Sequence, residues 1–118
     1  MSKKNMDGRY IKHENLWWWG STIDFVKTDG TGIVSLQFDK KYPNHGFIKG
    51  LSVVRAYRNQ GIATELLKLC EDEARLQGCR YLHLDVDKRE IWLEEWYKSL
   101  GFETIFVDDH EYTMLKVL

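Results

Sequence analysis

The chain changes its hydrophobic period once, in the middle. From Gly61 to Gln77 the apolar residues Ile62, Leu66, Leu69, Cys70 and Ala74 recur at three- and four-residue intervals, which is one face of an amphipathic helix. Glu65, Lys68, Glu71, Asp72 and Arg75 lie mostly off that face and can pair with one another along the helix. Gly78 is placed to close it in a left-handed cap. Immediately afterwards "YLHLDVD" alternates Leu82, Leu84 and Val86 against His83, Asp85 and Asp87, the two-residue period of a strand. A β-type run, "FIKGLSVV", comes just before the helix. A strand–helix–strand unit therefore occupies the centre of the chain.

The flanks read as meanders. "LWWWGSTIDFV", from Leu16 to Val26, is rich in β-formers. Asp29-Gly30 signals a hairpin, and "IVSLQF" is a strand with Ile33 and Leu36 near the core. Gly50 inside "FIKGLSVV" marks a bulge or a close backbone approach. "EIWLEEWYKSL" is a short helix that Gly101 ends, and "FETIFV" and "YTMLKVL" are two last strands around the polar turn "DDHE". The order β-β-β-α-β-α-β-β predicts an α+β, mixed α/β fold, with two main helices on one largely antiparallel sheet. The whole of residues 1–118 is expected to form a single domain, since 118 residues suit one compact core.

Composition excludes several classes. A net charge of −1 argues against a nucleic-acid or anionic-membrane protein. No apolar run is long enough to span a bilayer, and the polar start "MSKKNMDGRY" has no apolar signal region. Cys70 and Cys79 make neither a disulfide framework nor a zinc pattern. They read as reduced thiols of a cytoplasmic protein.

Chemistry concentrates where the central helix begins, at "RNQGIATELL". Helix N-termini present unpaired N–H groups and the positive end of a dipole, and a glycine lets an anion approach the backbone. Gly61 and Ala63 keep that surface clear, and Arg58 offers a planar cation suited to phosphate. The stretch is neither a Walker loop nor a dinucleotide-binding glycine pattern. On its own it reads equally as a solvated helix start.

"LSVVRAYRNQGIATELL" resembles the signature of the GCN5-related N-acetyltransferase (GNAT) superfamily, through Leu51, Val53, Tyr57, Arg58, Gly61, Ile62 and Ala63. "EWYKSLGFE" is similar to that family's second signature, through Trp96, Tyr97, Lys98, Leu100, Gly101 and Phe102. The likeness runs from about Ile23 to Leu118. It implies an enzyme that moves the acetyl group of acetyl-CoA to a primary amine. The N–H groups from Asn59 through Gln60, Gly61 and Ile62 to Ala63 would hold the pyrophosphate, with Arg58 and Thr64 beside it. The strand Leu51, Ser52, Val53 and Val54 would pair with the pantetheine arm, and N–H groups near Val53 would polarise the thioester carbonyl. Tyr97 aligns with the general acid that protonates the departing thiolate. Read without the family, Tyr97 is equally a packed aromatic of an amphipathic helix, and Trp96 reads as core.

The departures are specific. Asn59 stands where the family has glycine, and Arg55 where it has proline. Glu90 replaces an asparagine and places a negative charge near the expected pantetheine region. "FIKGLSVV" has no glutamate to act as a base, which leaves His45, His83 and Asp85 as local candidates. The chain is also expected to lack the family's first strand and one or both of the helices that follow it. The acceptor groove would then be open, which suits a protein or peptide amine, or be completed by a second copy in a homodimer. An alternative is a degenerate member that binds CoA or a protein without catalysis. In "LWWWGS" a continuous strand would turn Trp17 and Trp19 to one face and Trp18 to the other, as core or as a partner surface.

Overall fold

A computed structural model describes the backbone of residues 2–6 and 8–118 and the side chains of residues 8–118. Five strands come first: β1 (Ser2–Met6), β2 (Tyr10–Trp17), β3 (Gly20–Lys27), β4 (Gly32–Asp39) and β5 (His45–Val53). A single 3-10 turn (Arg55–Tyr57) leads into α1 (Ile62–Leu76). Then follow β6 (Tyr81–Asp87), α2 (Ile91–Ser99), β7 (Glu103–Val107) and β8 (Glu111–Val117). The described strands form one sheet in the order β1-β2-β3-β4-β5-β6-β8-β7. Every neighbouring pair is antiparallel except β5–β6. The expected class and the central strand–helix–strand unit hold.

The expected lack of a first strand does not hold. Two strands, β1 and β2, precede β3, and no helix separates them among the described residues. The sequence hides β2 because its inward positions alternate Tyr10, Lys12 and Glu14, mostly polar. Tyr10 joins the core, and both Tyr10 and Lys12 also reach α1 through polar bonds. Lys12 Nζ lies 2.7 Å from Glu73 Oε1, and the Tyr10 hydroxyl donates to Glu65 Oε2 at 3.0 Å. Burial opposes a charged Lys12, but hydrogen bonds to Glu73 and Glu14 outweigh it and raise its pKa.

Both crossovers, β5–α1–β6 and β6–α2–β7, run in the same direction across the sheet. The right-handed crossover rule then puts both helices on one face. Register agrees. Ile23 pairs with Leu36 and Leu36 with Ile48; Leu84 pairs with Met114. All of these are buried with Leu66, Cys70 and Ala74 of α1 and with Tyr97 and Phe102. The other face carries Asp24, Ser35, Phe47, His83 and Thr113, and no helix covers it among the described residues. Ile33 belongs to that open face at 40% exposure. The expectation that it joins Leu36 in the core fails because the two differ by an odd number of residues, and a strand sends them to opposite sides. Val34 fills the core position instead.

Glycines decide three junctions. Gly78 (φ +80°) and Gly101 (φ +97°) end the helices in left-handed caps, with Cys79 N–H donating to Ala74 O and Phe102 N–H to Tyr97 O. The tryptophan run is not a continuous strand: Trp17 pairs with Gly20, so Trp18 and Trp19 form a two-residue hairpin turn. Gly20, the first residue after the turn, lies hard against β4. A Cβ there would lie 1.9 Å from the Phe38 carbonyl oxygen. We expect Gly20→Ala to lower stability by about 3 kcal/mol, measured by urea unfolding. An unchanged midpoint would contradict the close approach of β3 and β4.

Candidate functional site

β5 and β6 pair only through His45–Tyr81, Gly46–Leu82 and Phe47–His83, and then part. On its other side β5 stays paired with β4 as far as Val53, but with a register shift. Ile33 faces Ser52 whereas Ser35 faces Lys49, so β5 carries one extra residue at Gly50–Leu51. Gly50 sits at φ +60°. This is the bulge that its glycine signals. The parting leaves the β6-facing edge of β5 without a ladder partner among the described residues. A cleft of about 580 Å³ opens at this point, bounded by the end of β5, the start of α1 and the inner side of α2. A crevice at the carboxyl ends of parallel strands is where α/β sheets bind ligands.

The floor of the cleft is the loop into α1. Asn59 has φ +64°, the sole positive φ of a non-glycine among the described residues. Asn tolerates the left-handed region better than most side chains, so it performs the turn expected of glycine. Gly61 caps α1 at φ +82° with no side-chain cap, and a Cβ there would meet nothing within 4 Å. Among the described residues no acceptor takes the N–H groups of Asn59, Gln60, Gly61, Ile62, Ala63 or Thr64; the first α1 bond is Glu65 N–H to Gly61 O at 3.0 Å. This row of donors at a helix N-terminus, with open space in front of it, has the chemistry of a phosphate cradle. Arg58 reaches back to the strand: its Nε donates to Val53 O at 3.0 Å, bracing the end of β5 while the side chain borders the cleft.

The loop is held from below. Val54 N–H donates to Thr31 O at 2.8 Å, and Thr31 is fixed by Asp29, whose Oδ1 accepts both its N–H and its hydroxyl. Those bonds, with one from Lys27, bring the Asp29 pKa down to about 2. The hairpin predicted at Asp29-Gly30 thus supports the site.

Leu51, Ser52, Val53, Arg58, Asn59, Gly61, Ile62, Ala63, Thr64 and Tyr97 all border the cleft. Val54 and Gln60 do not, and Val54 spends its N–H on Thr31. Tyr97 projects from α2 at 7% exposure. Burial first, and the Glu90 carboxylate second, push its phenol up to about 12. Its hydroxyl has no hydrogen-bond partner among the described residues, and no fully buried polar side-chain atom is left unpaired, so the group opens on the cleft. Trp96, expected in the core, is half-buried and borders the cleft, its ring 4.9 Å from that of Tyr97. Tyr57, Trp92 and Leu93 complete the walls without having been singled out as site residues. An i, i+4 spacing from Leu93 to Tyr97 was the available signal. Glu90 stands at the rim as expected from its place before α2.

His45 and His83 lie on the open sheet face, outside the cleft lining. Their rings meet edge to edge, with Nδ1 of His45 2.6 Å from Nε2 of His83. Burial, and then His45, lower the His83 pKa against the pull of Asp85. Asp85 accepts a hydrogen bond from Thr113 Oγ1 at 2.9 Å. Both thiols are free and buried, and burial pushes the Cys70 pKa up to about 12, which leaves it inert as a nucleophile.

These features fit a phosphorylated, peptide-like donor: N–H groups for the phosphates, a free strand edge for amide groups and a protonated phenol near the far end. The sequence comparisons agree. A profile of the Acetyltransferase (GNAT) family matches residues 4–102. The chain is 33% identical over 61 residues to GCN5-related N-acetyltransferase 6, chloroplastic, of Arabidopsis thaliana, a stretch covering 52% of this chain and 21% of that protein. Its fold is similar to that of the PaiA N-acetyltransferase of Thermoplasma acidophilum in complex with coenzyme A. There the TM-score is 0.70 at 19% identity, over 82% of this chain and 60% of that one. It is also similar to a chain of the NatC complex bound to Gag peptide and CoA, with TM-score 0.66 at 18% identity over 82% and 70%. The chain belongs to the GNAT acetyltransferases, a family whose acyl donor is acetyl-CoA.

Proposed function

We propose that the protein is an N-acetyltransferase that moves an acetyl group to a primary amine of a peptide or protein. The observation that carries this is the row of unpartnered N–H groups from Asn59 to Thr64 beside a free strand edge, with the Tyr97 phenol on the facing wall. Acetyl-CoA supplies the acetyl thioester. The loop N–H groups and Arg58 hold its phosphates, and the edge of β5 aligns its amide groups as an added strand. N–H groups at the bulge end of β5 meet the carbonyl oxygen as negative charge grows on it.

Tyr97 then acts at the sulfur. The amine lone pair forms the new N–C bond, the C–S bond breaks, and the electron pair leaves on sulfur. A phenol near 12 is a weaker acid than a thiol, whose reference pKa is about 8.5. Complete transfer of its proton is therefore uphill. Tyr97 stabilises the sulfur by donating a hydrogen bond as charge develops. The net proton comes from the attacking nitrogen, directly or through water.

The peptide acceptor is supported by the open face of the sheet: both helices lie on the other side, and no helix among the described residues covers the parting of β5 and β6 from the open face. Labelled acetyl-CoA offered with lysine peptides, N-terminal peptides, polyamines and amino sugars tests it. Transfer to the small amines alone would refute a peptide acceptor.

Three variants separate binding from turnover. Tyr97→Phe should lower kcat by about a hundredfold with acetyl-CoA affinity unchanged in calorimetry. Arg58→Ala should weaken acetyl-CoA binding; equal affinity would remove Arg58 from the cradle. Asn59→Gly should keep both stability and affinity. Asn59→Val should cost about 1–2 kcal/mol of stability, because a β-branched residue is strained at that φ, and should lose affinity with it. A degenerate member would bind acetyl-CoA in wild type yet transfer to none of the amines.

A further inference from the structure

The β2–β3 hairpin ends in residues that its geometry does not require. Two-residue hairpin turns favour Asn, Asp and Gly, yet Trp18 and Trp19 form this one. Trp18 is 87% exposed and Leu16 85%. Trp17 is half exposed, stacks on Trp19 at 6.3 Å with the rings 3° from parallel, and donates from Nε1 to Thr22 Oγ1. The tip is therefore an ordered apolar projection. It is joined to the β4–β5 turn, since Lys40 N–H donates to Trp19 O at 2.8 Å. That turn exposes Lys40, Lys41 and Tyr42, and Arg80 sits beside it through its N–H bond to Asn44 O. Lys40, Lys41 and Arg80 form no ion pair among the described residues. The Asp39 carboxylate stands beside them, its Oδ1 accepting the Lys41 main-chain N–H, and Glu14 lies 2.9 Å from Lys12 Nζ.

An apolar tip backed by unpaired cations matches one environment in particular. Tryptophan prefers the headgroup level of a bilayer, where its ring is buried and its N–H stays wet. Lysines just behind it meet anionic lipid groups. A protein pocket would have to be concave and aromatic-lined to receive the same projection, whereas a fluid lipid surface deforms around it. We propose that this end of the sheet docks the protein on an anionic lipid surface, with Leu16 and Trp18 entering the interface and Lys40 and Lys41 contacting the headgroups. No residue of the tip borders the cleft, so this docking stands apart from the acetyl-transfer reading.

Flotation with vesicles tests it, using phosphatidylcholine alone and phosphatidylcholine with about a third phosphatidylglycerol. The wild type should float with the anionic vesicles only, and less so as salt is raised. Trp18→Ser, and Lys40→Gln combined with Lys41→Gln, should each lower partitioning by about tenfold. Both variants should bind acetyl-CoA like the wild type, which shows that they are folded. If Trp18→Ser does not fold, quenching of wild-type fluorescence by brominated lipid reports the tryptophans directly. No flotation, equal binding to neutral vesicles, or variants that float like the wild type would overturn the proposal. So would a wild-type dimer that Trp18→Ser dissolves in the absence of any vesicle binding, because the tip would then serve self-association.

Discussion

The parting of β5 from β6 after Phe47 and His83 is the constraint from which the site follows. A parallel pair needs a crossover, and a right-handed crossover lays α1 across the same face that α2 later covers. With both helices on one side, the mouth between β5 and β6 faces the N-terminus of α1 and the inner side of α2 together. The extra residue at Gly50–Leu51 falls just where pairing with β6 has stopped. An unpaired strand edge is ordinarily a hazard that proteins cover or charge. Here it borders a cleft of about 580 Å³, where an extended ligand rather than another protein strand can satisfy it.

The loop that follows needs rigidity more than contacts. Its donors cradle an anion only if the backbone stays turned as it is, through left-handed residues at Asn59 and Gly61. Below, Thr31 accepts the Val54 N–H; behind, Arg58 ties the loop to Val53 O. Glu65 lies in the first turn of α1 but does not border the cleft. Arg9 Nη1 at 3.2 Å and the Tyr10 hydroxyl at 3.0 Å hold that carboxylate toward β2. The N-terminal strands therefore do more than extend the sheet, because they turn this acid of α1 toward β2. Glu90, on the other wall, acts differently. Its charge helps to keep the Tyr97 proton in place.

Residues whose role depends on local backbone geometry were legible in the sequence. Gly50, Gly78, Gly101 and Asp29-Gly30 each announce a conformation that few other residues adopt, and the structure places each as expected. Periodicity located α1 and β6 because their inward residues are apolar. β2 escaped because its inward side chains are Tyr10, Lys12 and Glu14, and Tyr10 and Lys12 are held by partners on α1 that no local pattern reveals. The tryptophan run misled for a related reason. Trp18 and Trp19 have strand propensity, but the chain reverses at them so that Trp17 pairs with Gly20, and Gly20 lies against the Phe38 carbonyl. In the site, motif residues were found and walls were not. Leu93 and Trp96 border the cleft only because α2 lies over the gap where β6 leaves β5.

A net charge of −1 says little about a molecule this segregated. The cleft lies at the carboxyl end of β5 and the tryptophan tip near its beginning, about 27 Å away along a nine-residue strand. One end presents main-chain donors and a helix dipole; the other presents lysines that form no ion pair among the described residues. Ion pairs on α1 and α2 contribute no net charge to that total. The sheet keeps the two regions apart at fixed orientation, and neither shares a side chain with the other. A contact at the tip therefore leaves the cradle's geometry as it is and sets only which way the cleft faces.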